Sequence, residues 1–323
     1  MKICYFICSN IFGGVENIVI NTLNELSKTD EVALITPKNC SFKDKLSKNV
    51  KLYEYQSFDK RYNPFLYLEI AKIAKNYELI HTHGAKATQI FYIINKFLNK
   101  KFVATKHNIR KGKIFNRTKN VLAVSKEVAN TIKNESKVIY FGIKKIDIVP
   151  KKLTDKFSMV SVGRLDPIKG FAELISSVSK LNFEYKLYIV GSGKEEQNLK
   201  NLINGLKLND KVELLSFRDD IKEILNGSGM QIISSRSEGL PNTLLEGIFY
   251  SNLLISTDVG GIKEILEPKF LFDINECDKK LKEIKENYGF YKDEFLKFAK
   301  PMQEKLSFEK YLYELKEYYK EVK

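Results

Sequence analysis

The chain of 323 residues is poor in the groups that usually announce a chemistry, with only three histidines and four cysteines. Cys4, Cys8, Cys40 and Cys277 show no metal-ligand spacing. His81, His83 and His107 come with neither a convincing fourth ligand nor a Glu-x-x-His helix, so a zinc centre is disfavoured. Cys4 and Cys8 fall on one face of an expected first strand and read as buried free thiols rather than a disulfide, in keeping with a reducing cytoplasm. No run of apolar residues reaches the roughly 18 that a membrane-spanning helix requires. The opening MKICYFICSN lacks a small-residue cleavage site and reads as a strand, not a signal peptide. A GxGxxG fingerprint is missing, and no acidic residue closes the second strand in the ribose-binding position, which disfavours a nicotinamide dehydrogenase.

What is present suits a soluble globular protein of two domains: 43% hydrophobic and 29% charged residues over a length too great for one core. The formal charge of +14 is uneven. Residues 1–150 carry 26 Lys and Arg against 12 Asp and Glu, whereas residues 151–323 carry 28 of each. A lysine-rich composition explains many of these lysines but not why one half alone is unbalanced. The asymmetry points to a polyanionic partner for that half, whether nucleic acid, an anionic membrane surface or a phosphorylated substrate.

Strand-like and helix-like segments alternate throughout. In the first half KICYFIC, EVALIT, VKLYEY, ELIHTH, KFVATKH, NVLAVS and VIYFGI read as strands. The helix after the first carries Val15, Ile18, Val19, Leu23 and Leu26 along one face. The same grammar restarts at FSMVSVGRL and runs through YKLYIVG, KVELLSF, GMQIISS and NLLIST, with helices between. This implies an α/β chain of two Rossmann-like, doubly wound parallel-sheet domains, residues 1–150 and 151–323, joined near Lys144–Lys156 and facing a cleft. Residues 278–323 read as helices with Tyr and Phe anchors, the last of which (residues 303–323) is expected to pack back on the first domain.

Four strand-to-helix loops can carry chemistry. Gly13 and Gly14 in SNIFGGVEN suit either close approach of an anion to a helix N-terminus or a plain tight turn. Arg164 and Lys169 in VGRLDPIKG suit a diphosphate cradle or a solvated charge pair. Gly191 and Gly193 in VGSGKEE permit close backbone approach or merely turn the chain. The fourth, SSRSEGLPNTLLEG, places Glu238 on a loop and, separated from it by seven residues, Glu246 inside the following helix, which Pro241 suits as a first-turn residue. Such carboxylates can bind sugar and ribose hydroxyls, complement the helix dipole, or form a glycosidase-type pair.

Taken in order, GG-x-E, VGRL-x(4)-KG, GSG, E-x7-E within EGLPNTLLEG, and DVGG-x(2)-E resemble the family-4 retaining glycosyltransferases of the GT-B fold, from Gly13 to Glu264. The resemblance implies that Arg164 and Lys169 bind the donor diphosphate and support the leaving group. It implies that Glu246 holds the ribose, that Glu238 contacts the transferred sugar, and that Gly239, Leu240, Pro241, Asn242 and Thr243 line the sugar and phosphate pocket, with Gly191 beside it. Gly14 would face the diphosphate from the first domain, and His107 would lie near sugar and acceptor. No metal or other cofactor is expected, the cations taking the place of a metal ion. A UDP-sugar is the expected donor, with a GDP-sugar also open. Two places depart from the family pattern: Tyr140-Phe141-Gly142 where an Asn-Gly turn is common, and Leu215-Ser216-Phe217 where a glycine is common in the base-binding loop.

His81 reads as a core histidine, while His83 stays open between core and cleft. Within residues 106–119 the cations Lys106, Arg110, Lys111, Lys113, Arg117 and Lys119 surround Ile109, Ile114 and Phe115. This composition suits an anionic bilayer surface; a solvated loop is the plainer alternative. The expectation is a cytoplasmic hexosyltransferase, peripheral at the inner face of the membrane, that extends a glycan or lipid-linked acceptor in polysaccharide, lipopolysaccharide or glycolipid synthesis. A basic nucleic-acid-binding protein on a Rossmann-like scaffold is the alternative; no base-stacking motif accompanies the basic loop, so no nucleic acid is expected.

Overall fold

The computed structural model describes residues 1–154 and 156–322. The chain divides into two compact units, Met1–Phe141 with Tyr311–Lys323, and Gly142–Lys310.

The first unit begins β1 (Lys2–Ile7), α1 (Gly14–Leu26), β2 (Glu31–Pro37), β3 (Val50–Tyr55) and α2 (Pro64–Ala74). It continues with β4 (Leu79–His83), α3 (Ala85–Leu98), β5 (Lys101–Lys106), β6 (Asn120–Ala123), α4 (Lys126–Ala129) and β7 (Lys137–Val138). The seven strands form one sheet in the order β3-β2-β1-β4-β5-β6-β7, every pair parallel. In β1 all residues after Lys2 are buried, because a parallel sheet is covered on both faces and its strands read as continuous apolar runs.

The second unit runs β8 (Ser158–Val162), α5 (Phe171–Val178), β9 (Lys186–Val190), α6 (Glu196–Gly205), β10 (Val212–Leu215) and α7 (Ile221–Gly227). There follow β11 (Met230–Ile233), α8 (Asn242–Tyr250), β12 (Leu254–Thr257), β13 (Leu271–Phe272), α9 (Cys277–Glu286) and α10 (Tyr288–Lys305). Its six-stranded parallel sheet has the order β10-β9-β8-β11-β12-β13. The final helix, α11 (Phe308–Glu321), belongs to the first unit from Tyr311 onward. In each sheet the strand order reverses beside the first strand, so the loops leaving β1 and β4, and those leaving β8 and β11, diverge over the carboxyl edge where ligands bind in such folds.

Three local expectations change. VIYFGI contributes only Val138 to the sheet, in β7 beside Lys137, because β7 has β6 as its single neighbour and that strand is itself four residues long. Cys8 lies past the end of β1, half-buried. Pro241 sits just before α8, in extended backbone at the N-cap. All four cysteines are free thiols.

Gly142 in the departing Tyr-Phe-Gly triplet is required by close approach of backbone. Ile143 pairs with Ser307, and a Cβ at Gly142 would stand 2.1 Å from the Ser307 carbonyl oxygen. Gly142→Ala is therefore expected to lower stability by about 1–3 kcal/mol, read as a lower midpoint of urea unfolding. An unchanged midpoint would show that this backbone yields at no cost.

Candidate active site

The two loops that flank the switch point of the second sheet are locked together. Arg164 and Lys169 leave β8, and the Lys169 side chain lies over Gly163, its Cδ and Cε about 3.5 Å from where a Cβ would stand. Asp166 accepts a hydrogen bond from the Ile168 amide and opens the turn that carries Lys169. Gly170 takes a left-handed φ of 67°, and a Cβ there would meet the Ser234 carbonyl oxygen at 2.0 Å. Ser234 Oγ donates to the Lys169 carbonyl, and the Arg236 amide donates to the Ile168 carbonyl. The turn after β8 is thus bound along its length to the loop after β11.

That loop presents Glu238. Lys169 Nζ lies 2.5 Å from Glu238 Oε1, and Ser235 Oγ donates to the same oxygen at 2.6 Å. Both partners are largely shielded, with side-chain exposures of 20% and 12%, so their attraction is less screened than that of a surface pair. Arg164 is different: its side chain is 72% exposed and, among the described residues, reaches only Asp166, at 3.7 Å. The structure therefore joins Lys169 to Glu238 directly and leaves Arg164 in solvent at the same strand end.

The loops after β9 and β12 brace this arrangement. A Cβ at Gly191 would lie 2.0 Å from the Gly163 carbonyl oxygen, and one at Gly193 would run into the Leu165 backbone. These glycines are demanded by loop-on-loop packing. Gly260, at φ 52°, lies against the Glu238 carbonyl, the Gly261 amide donates to the Gly239 carbonyl, and Thr257 Oγ1 donates to the Ser235 carbonyl.

Beyond Gly239, Leu240 and Pro241 are buried and Asn242 and Thr243 open α8. Proline offers no side-chain cap, so the positive end of the helix dipole is left to other groups. Gln231 of β11 anchors α8 from below, donating to the Thr243 carbonyl and receiving Ser251. Glu246 lies half-buried on this helix, and burial pushes its pKa up to about 7, with Lys222 partly opposing the shift. Among the described residues its carboxylate has no hydrogen-bond partner.

In the first unit, Gly14 is the first residue of α1 after Gly13, and Glu16 in the first turn folds back against Gly13. The three histidines form one chain. His81 is buried between Tyr319 Oη at Nδ1 and Thr105 Oγ1 at Nε2, each at 2.6 Å. His83 Nδ1 lies 2.9 Å from His107 Nε2, and the His107 ring stacks on Phe141 with centroids 5.6 Å apart. Burial lowers all three pKa values, that of His81 to about 3, so the network is neutral. His83 is a buried residue that orients His107, and only Nδ1 of His107 is left for other partners. His83 Nε2 is buried without a hydrogen-bond partner among the described residues.

The comparisons with known proteins agree along the chain. The family model described as Glycosyltransferase Family 4 matches residues 12–150, and that described as Glycosyl transferases group 1 matches residues 143–293. The chain belongs to the family-4 glycosyltransferases. Among curated relatives, an uncharacterised glycosyltransferase of Haemophilus influenzae is 32% identical over 138 residues, 41% of this chain, and the match spans only 39% of that protein's length. A Campylobacter jejuni enzyme is 22% identical over 313 residues, 87% of this chain and 86% of its own. Its name is GalNAc-alpha-(1->4)-GalNAc-alpha-(1->3)-diNAcBac-PP-undecaprenol alpha-1,4-N-acetyl-D-galactosaminyltransferase. The crystal structure of Anabaena Alr3699/HepE in complex with UDP-glucose shares the fold, with a TM-score of 0.89 at 18% identity and full coverage of both chains. Both units of this glycosyltransferase family member thus have the parallel α/β sheets of the GT-B fold.

The basic loop of this family-4 chain needs correction. Lys106 and Phe115, expected in a lipid-facing patch, are buried. Lys106 Nζ donates to Thr131 Oγ1 and lies 5.7 Å from the centre of the Phe115 ring. A short loop after an inner strand buries its largest apolar residue, and Phe115 plugs the loop into the core. Arg110, Lys111, Lys113, Arg117 and Lys119 remain exposed. Ser235, which helps hold Glu238, is not evident from the sequence, because a serine three residues before the more distinctive EGLPN carries no signal of its own.

Glu246 makes a pH prediction. Its folded-state pKa of about 7 exceeds the ordinary 4.5, so its contribution to stability is full below pH 4.5 and is lost as pH rises toward 7. Glu246→Gln should therefore raise the melting temperature at pH 8 relative to the parent and leave it nearly unchanged at pH 4.5. Equal differences at both pH values would contradict an uncompensated carboxylate.

Proposed function

We propose that this protein is a retaining glycosyltransferase that moves a hexose from a nucleotide sugar, a UDP-sugar by preference, to a glycan or lipid-linked acceptor. The observation that carries the reading is the shielded Lys169–Glu238 pair at the switch point of the second unit, with the uncompensated Glu246 on the adjoining helix.

Departure of a nucleoside diphosphate builds negative charge on its leaving oxygen, and preorganised cations and amides stabilise it. Lys169 supplies a fixed charge, Arg164 a mobile one, and the start of α8 with Gly239–Thr243 supplies amides and a helix dipole. Glu238 accepts hydrogen bonds from the hydroxyls of the transferred sugar, and Glu246 from those of the ribose. Once the diphosphate draws Lys169, the Glu238 carboxylate is free to take those hydroxyls. The two cations perform the charge stabilisation, so the reaction proceeds without a divalent metal. Retention follows from acceptor attack on the face the diphosphate leaves, with Glu238 engaged in sugar binding and no enzyme nucleophile. His107, neutral and held by His83, offers Nδ1 as a hydrogen-bond partner to a bound acceptor.

The name of the Campylobacter jejuni relative, whose acceptor is a glycan on diphosphoundecaprenol, supports a lipid-linked acceptor and a place in polysaccharide, lipopolysaccharide or glycolipid synthesis. The titled ligand of the Anabaena structure supports UDP. Among the described residues no helix is long and apolar enough to cross a membrane. We infer peripheral attachment at the inner membrane face through the basic first half.

A melting-temperature screen against nucleotide sugars should show one or a few that raise the transition by mass action. Lys169→Ala should lower kcat by about 100- to 1,000-fold while the melting transition persists. Glu246→Ala should chiefly raise the donor KM, by about tenfold or more. Because ribose hydroxyls bind the ionised carboxylate, donor affinity should also weaken below about pH 7 in the parent and not in Glu246→Gln. Parent-like rates in both alanine variants would sink the site assignment.

A further inference from the structure

We propose that a cationic cavity on the first unit binds the phosphate-bearing head of an amphiphilic lipid, the class of acceptor that this glycosyltransferase would glycosylate. The cavity has a volume of about 550 Å³, within the usual range for a small-molecule site. Its floor is one stripe of α3, where Ala85, Gln89, Tyr92, Ile93 and Lys96 recur at helical spacing. Lys111, Lys113 and Arg117 enter from the loop after β5, and Arg61 from the loop after β3.

The lining holds five cations and no carboxylate. Among the described residues none of the five is within ion-pair distance of an acid, whereas other lysines of the same unit are paired, Lys2 with Glu31, Lys28 with Glu25 and Lys86 with Asp59. Five like charges around one concavity repel one another, and a multiply charged anion relieves that repulsion at each of them.

The walls are fixed rather than formed by chance among mobile side chains. Phe115 is buried beneath the loop after β5, and Gly112 packs so closely on its ring that a Cβ would approach it to 2.8 Å. Asn116 ties the same loop to Lys133 and Asn134. On the opposite side Lys86 bonds both the carboxylate and the carbonyl of Asp59, and Asn63 caps α2 while holding the Phe58 carbonyl. Arg61 is thereby held on a braced loop.

An inorganic anion would not explain the apolar share of the site. Tyr92, Ile93 and Ile114 line the cavity. Exposed aromatics also neighbour two of the lining cations in sequence: Phe58 and Tyr62, on the loop that carries Arg61, are 83% and 82% exposed, and Phe97, which follows Lys96, is 86% exposed. A cationic hollow whose lining also carries Tyr92, Ile93 and Ile114 matches a molecule with a charged head and a hydrocarbon tail.

The proposal relies on the function above only for the use made of the bound lipid. The test is therefore a binding measurement, by titration calorimetry, with farnesyl diphosphate as the probe and pyrophosphate and farnesol as controls, at physiological ionic strength and with saturating UDP. The parent should bind farnesyl diphosphate at least tenfold more tightly than either control. The double variant Lys96→Glu/Arg117→Glu should bind it at least tenfold more weakly, with unchanged melting temperature and unchanged response to nucleotide sugar. Loss of binding in the presence of UDP, equal affinity for pyrophosphate, or indifference to the charge reversal would each overturn the proposal. Absence of any nucleotide-sugar response in the parent would count against the transferase reading alone, since farnesyl diphosphate binding would still stand.

Discussion

The Lys169–Glu238 ion pair is the interaction on which the second unit's site depends. A charged pair this shielded costs desolvation energy that its own attraction does not always recover. The structure offsets the cost with Ser235, which donates to the same carboxylate oxygen, and with the backbone clamp that Gly170 makes possible. The loops after β9 and β12 then close on this clamp through Gly191, Gly193 and Gly260. Four loop ends become one rigid platform at the place where the strand order reverses. A site for a leaving diphosphate gains from such rigidity, because charge stabilisation works best when the stabilising groups are already in place.

The two units use charge in opposite ways. In the second, cations are paired with acids and basic and acidic residues balance. In the first, polar groups near the strand ends are kept neutral: three histidines are stripped of charge by burial, His81 held by Tyr319 and Thr105 and His83 bonded to His107. Its positive charge is displaced outward, onto exposed loops and the cationic cavity beside α3. The proposed division of labour follows from this contrast, with the diphosphate of the donor drawn to one unit and an anionic acceptor to the other.

Much of the fold was legible because parallel strands buried on both faces leave continuous apolar runs, and because strand-to-helix loops carry glycines. The positions of Lys169 and Glu238 were legible as motifs, but their direct bond was not, since it joins residues 69 apart. The role of His83 as the partner of His107 also depends on neighbouring strands, and so lay beyond spacing arguments. The basic loop was read wrongly in part. Its alternation of cations and apolar residues resembled an interfacial segment, yet Phe115 and Lys106 pack inward, where Lys106 lies over the Phe115 ring and donates to Thr131 Oγ1. The short strand at Leu271–Phe272 left no trace, because two residues carry no periodicity.

The central claim is that Lys169 and Glu238 act as one unit in holding the donor. It is tested most directly by a double-mutant cycle on nucleotide-sugar affinity, comparing the parent, Lys169→Met, Glu238→Gln and the double variant by calorimetry with the donor that the melting screen selects. The account predicts that both single variants bind more weakly and that the loss in the double variant falls short of the sum of the singles, by about 0.5–3 kcal/mol. Strictly additive losses, or parent-like affinity in either single variant, would contradict it.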